Sequence, residues 1–382
     1  MTELNALQGA IQARESWMLS RLRELVEIES PSDDKEAVDR AVDAVAGWCE
    51  ELGGRVWVHP QREFGDVLEV SFGPVRRSSK PVLLLGHLDT VWPAGTLKTM
   101  PWREAKGHVY GPGVYDMKAG VVMALTAIAA LTECDELHTP VTLLLVGEEE
   151  IGSPVSRPLT EKIARGASAA FVLEPAQGQR GAYKTARKGV GDYRLKVRGV
   201  AAHSGVDFAS GHSAIVELAR LLEKLQKFIN VKSGMTLNPG VIGGGTRSNV
   251  VAAEAWAEVD VRIARKSDAA RVERIFRGLK CTDKACTLEV TGGMNRPPME
   301  RTPKTAKLFQ RAHRIAAEMG FKLEEAATGG GSDGNFTAAV GTPTLDGMGA
   351  VGEGAHAAHE SVLVSSLVER TVLLAAMVAD AR

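Results

Sequence analysis

The sequence has little of several features that mark specialised classes of protein. Aromatic residues make up 5% of its 382 residues, and it has four cysteines. None of these forms a Cys-x-x-Cys pair, so the pattern favours free thiols in a reducing compartment over a disulfide framework. Neither sign of charge dominates, because 46 basic residues are balanced by 47 acidic ones. Bulk charge therefore gives no reason to expect a nucleic-acid or membrane partner.

The sequence also has no long hydrophobic run. The longest apolar stretch, Val121 to Leu131, is too short to span a bilayer and favours a buried helix. The first residues, MTELNALQGAIQARESW, have no basic stretch followed by an apolar core, so no signal peptide is predicted. We therefore expect a cytoplasmic protein without a membrane-spanning segment.

The sequence does contain alternating apolar strands and helices in its first half. Apolar runs at 81–87, 140–147 and 168–175 are separated by helical patterns at 117–133 and 155–165. This alternation predicts an α/β domain with a mostly parallel sheet that is covered on both faces. Before these elements, helices are predicted at 5–28 and 34–52 and short strands at 55–59 and 67–72.

The pattern changes after about residue 182. The segment GDYRLKVRGV alternates polar and apolar residues, which is typical of a strand with one exposed face. A small α+β sandwich is predicted from the elements that follow, at 212–229, 235–243, 249–263, 267–279 and 284–291. The Gly/Pro-rich segment 292–302 predicts a linker, and helices at 303–319 and 361–381 resume the first pattern. We therefore predict a domain of residues 183–296 inserted into a larger domain formed by 1–182 and 297–382.

Acidic residues and histidines follow the apolar strands at the points where these strands end. The carboxyl ends of strands form the ligand-binding edge of an open α/β sheet. Imidazoles and carboxylates that arrive from separate strand ends are typical of a zinc-type site. The candidates in chain order are His87, Asp89, Asp116, Glu148, Glu149, Glu150, Glu174 and His356.

Each of these residues also has an ordinary structural explanation. A lone histidine is usually a satisfied core or surface residue, and Asp116 could be a helix N-cap. Several charged groups that all end buried strands at one edge are harder to explain in this way, because buried charge needs a partner or a metal. As a set, the candidates favour a metal site.

The same segments resemble the di-zinc metallopeptidase family of aminoacylases, acetylornithine and succinyl-diaminopimelate deacylases, and glutamate carboxypeptidases. The matching segments run in the family's order across nearly the whole chain: GHLDTV, GPGVYDMKAGVV, GEEEIGS, LEPA, GVAAHSG, SNVV, AEVDVR, TGGGSDGNF and GAHAAHE. The segments NRPPME and TGGGSD make the folate-cleaving glutamate carboxypeptidases the most similar branch. The resemblance implies a zinc-exopeptidase-like catalytic domain and an inserted lid domain that also forms a homodimer.

The resemblance implies two Zn²⁺ ions, for which Co²⁺ or Mn²⁺ can substitute. Asp116 would bridge them, followed by a cis peptide bond to Met117. The remaining ligands would be His87 and Glu174 for one ion, and Glu150 and His356 for the other. His356 is preferred to His359 because the family has an acid four residues after this histidine, here Glu360.

The resemblance also assigns the groups that act on the reacting atoms. Glu149 would be the general base for a water held between the two ions. Asp89 would orient the imidazole of His87 by a hydrogen bond. His203, from the partner's lid, would stabilise the developing charge on the carbonyl oxygen, although a surface-turn histidine is the alternative. Glu148, where the family commonly has aspartate, is expected to be a dispensable bystander that tolerates the exchange if it is solvated or supports the ligands.

Substrate recognition is predicted in the second half of the chain. Arg296 matches an arginine that binds the substrate's α-carboxylate, a role suited to a planar guanidinium, although a surface ion pair is the alternative. Asn249 matches a lid residue that helps to hold this carboxylate. Gly330 and Gly331, in TGGGSDGN, would place backbone donors near the substrate; the loop is not a P-loop, because no Gly-Lys-Ser/Thr follows.

These assignments predict a metallo-exopeptidase that releases a C-terminal amino acid, with glutamate expected. The substrate would be a small peptide, an N-acyl-amino acid or a folate-like molecule. One alternative is a dipeptidase or an N-acyl-amino-acid deacylase of the acetylornithine or succinyl-diaminopimelate type. Another is a catalytically dead binding protein that keeps the fold, although the intact Glu149 argues against it.

Overall fold

The computed structural model describes residues 2–74 and 79–381. The chain forms two compact units. Unit 1 consists of Met1–Ala186, Arg301–Ala327 and Ser332–Arg382, and unit 2 of Arg187–Glu300 and Thr328–Gly331. The second unit is thus an insertion in the sequence of the first.

The described residues form ten helices and sixteen strands. The helices are α1 (Thr2–Gln12), α2 (Glu15–Glu27), α3 (Lys35–Glu51), α4 (Ala119–Glu133), α5 (Arg157–Gly166), α6 (Ala214–Gln226), α7 (Ala269–Arg277), α8 (Pro303–Glu318), α9 (Gly334–Ala339) and α10 (Val364–Ala379). The strands are β1 (Arg55–His59), β2 (Val67–Phe72), β3 (Val82–His87), β4 (Arg103–Ala105), β5 (His108–Tyr110), β6 (Val141–Val146), β7 (Ala169–Val172), β8 (Tyr183–Arg187), β9 (Gly189–Arg198), β10 (Thr236–Gly244), β11 (Glu254–Ile263), β12 (Thr287–Arg296), β13 (Glu325–Thr328), β14 (Thr344–Leu345), β15 (Gly352–Glu353) and β16 (Ser361–Leu363).

Unit 1 is built on a six-stranded mixed sheet in the order β1-β2-β6-β3-β7-β14. The pairs β6/β3, β3/β7 and β7/β14 are parallel, whereas β1/β2 and β2/β6 are antiparallel. Every residue of β3, β6 and β7 is buried, which explains their continuous apolar sequences. The predicted α/β class is confirmed.

Helix α4 lies in the centre of the largest apolar core. All residues from Ala119 to Leu131 are buried, and α10 packs against this helix. The segment Val114–Glu133 is long and apolar enough to cross a membrane by length and composition, but 94% of its apolar 18-residue window is buried inside the protein. The prediction of a buried helix at this position is confirmed.

Unit 2 contains a four-stranded antiparallel sheet in the order β10-β11-β9-β12. Along β9, Tyr193, Leu195 and Val197 are buried while Arg194 and Arg198 are exposed. The buried side chains pack with residues of α6 and α7 in a separate core. The predicted one-face-exposed strand and the α+β class of this unit are confirmed.

Two predicted elements differ from the structure. The helix predicted at 5–28 is two helices, α1 and α2, and neither Gly nor Pro marks the break at 13–14. Strand β12 continues to Arg296, so the first part of the predicted linker 292–302 is sheet. The glycine at 292 reflects close approach of strands rather than a linker, since a Cβ there would lie 2.0 Å from the Asp192 carbonyl oxygen.

Alanine substitutions at two helical glycines, one crowded in α4 and one uncrowded in α3, can show how closely α4 packs against the rest of unit 1. A Cβ on Gly120 would lie 2.0 Å from the backbone oxygen of Leu173, the residue before Glu174. At Gly47 in α3, a Cβ would meet no heavy atom of the described residues within 4 Å. We expect Gly120→Ala to lower the free energy of unfolding by ~1–3 kcal/mol. Gly47→Ala should raise it by about 0.5–1 kcal/mol.

Urea unfolding followed by circular dichroism measures both changes. If Gly120→Ala were as well tolerated as Gly47→Ala, the close packing of α4 on the segment after β7 would be contradicted.

Candidate metal centre

The carboxylate of Asp116 lies between two histidines from distant parts of the chain. Its Oδ1 is 3.5 Å from Nε2 of His87, and its Oδ2 is 3.5 Å from Nε2 of His356. One carboxylate whose two oxygens face two imidazoles has the arrangement expected of a ligand shared by two cations. The peptide bond from Asp116 to Met117 is cis, as the family resemblance implied.

Each histidine has a second carboxylate beside it. Glu174 Oε1 is 3.7 Å from His87 Nε2, and Glu150 Oε2 is 3.2 Å from His356 Nε2. Potential ligand atoms lie within 4.8 Å of one another in two groups, which are His87, Asp116 and Glu150, and His87, Glu149 and Glu174. The structure therefore brings together the five predicted metal ligands and the predicted base.

Three neighbouring strands deliver most of these residues. His87 ends β3, the paired glutamates follow β6, and Glu174 follows β7. These strands are adjacent and parallel, so their carboxyl ends meet at one edge of the sheet. Asp116 comes from the turn before α4, in which Gly113 has a φ of 72° and approaches Thr90 too closely for a side chain.

Asp89 holds the backbone of the paired glutamates. Its Oδ1 accepts the N–H of Glu149 and its Oδ2 that of Glu150, each at 3.1 Å. Oδ2 also accepts the hydroxyl of Ser32 at 2.7 Å. Nδ1 of His87 is closer to the backbone oxygen of Asp89, at 3.0 Å, than to Oδ1, at 3.4 Å. The carboxylate of Asp89 thus positions Glu149 and Glu150, whereas the hydrogen bond to the imidazole comes from the backbone oxygen of Asp89 and not from the carboxylate of the prediction.

The fit of a metal ion can be judged from His87. Because Nδ1 donates to the Asp89 backbone, Nε2 carries the lone pair of the neutral ring. This buried Nε2 has no hydrogen-bond partner among the described residues, and it faces oxygens of Asp116 and Glu174. A lone pair directed at two carboxylates is unfavourable without a cation between them. Imidazole and carboxylate ligands suit Zn²⁺, so the residues fit the group that the family implies.

The pKa values of the two histidines also indicate that positive charge is favoured at this site. Burial alone would lower the pKa of His87, but Asp116 and Asp89 raise it well above its usual range. The carboxylates of Asp116 and Glu150 raise the pKa of His356 to about 10. Burial raises the pKa of Asp116, but His356 and His87 outweigh this and lower it below the usual carboxyl range. In the metal-free protein, protons therefore occupy the positions that cations would take.

Glu148, which was expected to be a bystander that is solvated or supports the ligands, is not solvated. It is fully buried, and its Oε1 accepts the backbone N–H of Ser156 at 2.6 Å and of Val155 at 3.2 Å. Burial raises the pKa of Glu148. Its carboxylate holds the turn that leads into α5, so this residue has a structural role that the sequence did not indicate.

Two further acids near the site were missed by the sequence analysis. Glu360 is fully buried and accepts hydrogen bonds from the backbone of the turn that carries Asp116. The sequence placed it four residues after His356 but did not indicate this contact. Asp333 accepts the hydroxyl of Ser153 at 2.5 Å and so ties the segment after the paired glutamates to the start of α9.

The predicted residues of the lid lie in unit 2. Nδ1 of His203 accepts the backbone N–H groups of Gly205 and Val206 at 3.2 Å each, so its Nε2 carries the proton in the neutral ring. The ring is exposed. The backbone oxygen of Asn249 accepts the N–H of Ser204 at 3.0 Å, which places Asn249 beside His203.

Arg296 and the two glycines also lie together in unit 2. Arg296, at the end of β12, is 7% exposed, so it is not the surface residue of the alternative explanation. A Cβ on Gly331 would lie 3.0 Å from Cδ of Arg296. The carbonyl oxygens of Gly330 and Gly331 accept from Arg187 at 3.3 and 3.0 Å. Arg187, at the end of β8, is buried and holds this loop.

Comparison with known proteins gives one family. A model of peptidase family M20/M25/M40 matches residues 83–380. The chain is 28% identical to carboxypeptidase G2 of Pseudomonas sp. (strain RS-16) over 385 aligned positions, which cover 98% of this chain and 92% of that protein.

Two solved structures show the same fold at low identity. A tripeptidase from Staphylococcus aureus superposes with a TM-score of 0.81 at 21% identity, covering 96% of this chain and 98% of that chain. The YXEP protein of Bacillus subtilis, described as a dinuclear metal-binding peptidase of the M20 family, gives 0.70 at 16% identity, with 96% and 98% covered.

Metal binding should release protons if the two histidines are ligands. A folded pKa of about 10 for His356, against 6.5 for the free side chain, means that its ring is charged at neutral pH. A metal needs the neutral ring, so we expect loading with Zn²⁺ at about pH 7 to release roughly two protons, one from each histidine. Calorimetry in two buffers of different ionisation enthalpy gives this number.

The matched variants are His356→Gln and His359→Gln, which change neighbouring histidines in the same way. The first should release about one proton fewer, and the second should match the wild type. Equal proton release in all three proteins would contradict the role of His356.

Proposed function

The chain belongs to peptidase family M20/M25/M40, and from this premise we propose that it is a dinuclear zinc carboxypeptidase. Its proposed reaction is hydrolysis of an amide bond that releases a C-terminal glutamate from small peptides, N-acyl-glutamates or folate-like molecules. The observation that carries the proposal is the carboxylate of Asp116, whose two oxygens face His87 and His356.

In this proposal Asp116 would be a ligand to both ions. His87 and Glu174 would hold one ion with it, and Glu150 and His356 the other. Two bound zinc ions would polarise the scissile carbonyl and lower the pKa of a water towards ~7, and Co²⁺ or Mn²⁺ would serve in their place.

Glu149 is the proposed general base. Its residue is 8% exposed, and a carboxylate oxygen lies within 4.8 Å of ligand atoms of His87 and Glu174. Asp89 fixes its backbone N–H, which limits how the carboxylate can move. Glu149 takes a proton from the attacking water and delivers it to the nitrogen of the leaving amino acid. Glu150, the next residue, turns towards His356 instead.

Unit 2, which consists of Arg187–Glu300 and Thr328–Gly331, is proposed to be the lid that the sequence placed at 183–296. The Nε2–H of His203 would donate to the carbonyl oxygen as negative charge develops there, acting in the active site of the partner subunit. Arg296 and Asn249 would bind the α-carboxylate of the released residue. Backbone N–H groups of Gly330 and Gly331 would donate to the same end of the substrate.

A homodimer is proposed because unit 2 exposes apolar side chains beside a free sheet edge. Ile215 and Val216 on α6, and Val241 and Ile242 on β10, are exposed. Strand β10 ends the order of its sheet, and α6 packs against it. An edge strand with apolar neighbours invites pairing with a second copy. The proposed location is the cytoplasm.

Hydrolysis of N-acyl-glutamates and of a folate tests the reaction. With Zn²⁺ or Co²⁺ bound, we expect release of glutamate, and Glu149→Gln should lower kcat by roughly 10²–10⁴ while metal content stays unchanged. Glu353→Gln, at an exposed position, is the control.

Three other outcomes would count against the proposal. Rates that depend on an acetyl or succinyl acyl group, and not on which amino acid is released, would favour the deacylase alternative. Equal inactivity of wild type and variant, with both metals bound, would favour a binding protein. Full activity of Glu149→Gln would remove the proposed base.

Recognition of the carboxylate is tested separately. We expect Arg296→Gln to raise KM about 10–100-fold for a substrate with a free α-carboxylate, because two charge-assisted hydrogen bonds are lost. The variant should act on the corresponding α-amide as the wild type does. Arg198→Gln, an exposed arginine of the same sheet, is the control. An equal loss on both substrates would show that Arg296 does not bind this group.

A further inference from the structure

Glu360 is a fully buried carboxylate whose two oxygens each accept two hydrogen bonds. Oε1 accepts the backbone N–H of Tyr115 at 2.9 Å and of Asp116 at 3.0 Å. Oε2 accepts the backbone N–H of Gly113 at 2.9 Å and the indole N–H of Trp92 at 2.7 Å. Four donors fill the acceptor positions of a carboxylate, so Glu360 has one well-defined place in the structure.

Three of these donors belong to the turn that presents Asp116. Gly113 has a φ of 72°, and beyond it the backbone N–H groups of Tyr115 and Asp116 turn towards the same carboxylate. Successive N–H groups that converge in this way form an anion-binding nest. Glu360 occupies the nest, and the backbone of Asp116 is therefore fixed by a side chain from the far end of the sequence.

Glu360 is also tied to the segment that carries His356. The N–H of Ala357 donates to the oxygen of Gly354, and the N–H of Glu360 donates to the oxygen of Ala357, each at 2.8 Å. These two successive turns join Glu360 to His356 through a short, hydrogen-bonded stretch. Glu360 thus holds both the backbone of Asp116 and the segment of His356. The Oδ2 of Asp116 and the Nε2 of His356 are 3.5 Å apart.

His87 and Glu174 have separate support. His87 lies in β3, which is paired on both sides by β6 and β7, and Glu174 lies two residues after the end of β7. Asp89 holds the other nitrogen of His87. Loss of Glu360 should therefore disturb the position of Asp116 relative to His356 more than the position of His87 relative to Glu174.

We propose that Glu360 is a positioning residue that holds Asp116 against His356. It thereby sets the affinity of the ion bound by Asp116, Glu150 and His356 more than that of the other ion. This inference rests on the proposed dinuclear site. It adds a residue that touches neither metal nor substrate and acts through the backbone of a shared ligand.

The test is a Co²⁺ titration of the metal-free protein, followed by visible absorption. In Glu360→Gln the amide nitrogen cannot accept, so at least one pair of N–H donors loses its partner. We expect one of the two Co²⁺ ions to bind about 10–100-fold more weakly, with a smaller loss for the other, which keeps His87 and Glu174. Saturating Co²⁺ should restore kcat, and backbone amides of residues 113–116 should exchange hydrogen faster than in the wild type.

Glu353→Gln makes the same chemical change at an exposed position seven residues earlier, and both of its ions should bind as in the wild type. Glu360→Asp keeps the charge on a shorter side chain and should weaken the same ion to an intermediate degree. If Glu360→Gln does not fold, the titration of Glu360→Asp decides the question.

Wild-type affinity for both ions in the Glu360 variants, or an equal loss at both, would overturn the inference. With an active wild type, a kcat of Glu360→Gln that saturating Co²⁺ fails to restore would overturn it as well. The titration uses no substrate, so it is separate from the peptidase proposal. A wild type that binds two Co²⁺ but hydrolyses nothing would contradict the proposed function and leave the role of Glu360 intact.

Discussion

The two-sided contact of Asp116 is the interaction on which the candidate site depends. Its oxygens face His87 and His356, which lie in the first and last sequence segments of unit 1. The other predicted ligands and one supporting residue are arranged around this carboxylate. Glu174 and Glu150 lie beside the two histidines, and Glu360 holds the backbone of Asp116. Moving Asp116 by an ångström would separate it from one histidine or the other.

Repulsion among the many carboxylates is relieved in two ways. Asp89, Glu148 and Glu360 are fully enclosed, and each accepts backbone N–H groups that offset its charge. Asp116, Glu150 and Glu174 face histidine nitrogens instead, where a proton or a metal ion can balance them. Three successive glutamates therefore serve three purposes: Glu148 holds a turn, Glu149 faces the site and Glu150 faces His356.

The sequence predicted those parts of the fold and site that local pattern controls. Continuous apolar runs identified β3, β6 and β7, and their ends located His87, Glu150 and Glu174, because parallel strands align their carboxyl ends. The resemblance to a known family supplied the pairing of Asp116 with His356, which no local pattern contains. The contacts of Glu360, Ser32 and Arg187 were missed, since each joins a side chain to backbone far away in the sequence. Gly292 was wrongly predicted to lie in a linker for a related reason. It allows two strands to approach closely, which its composition alone does not indicate.

The central claim is that one carboxylate joins two metal ions. Anomalous diffraction at the zinc edge from crystals of the zinc-loaded protein tests it most directly. The account predicts two peaks about 3.5–4 Å apart, one on each side of the Asp116 carboxylate. His87 and Glu174 should lie beside one peak, and Glu150 and His356 beside the other. A single peak, or two peaks of which Asp116 touches one, would contradict it.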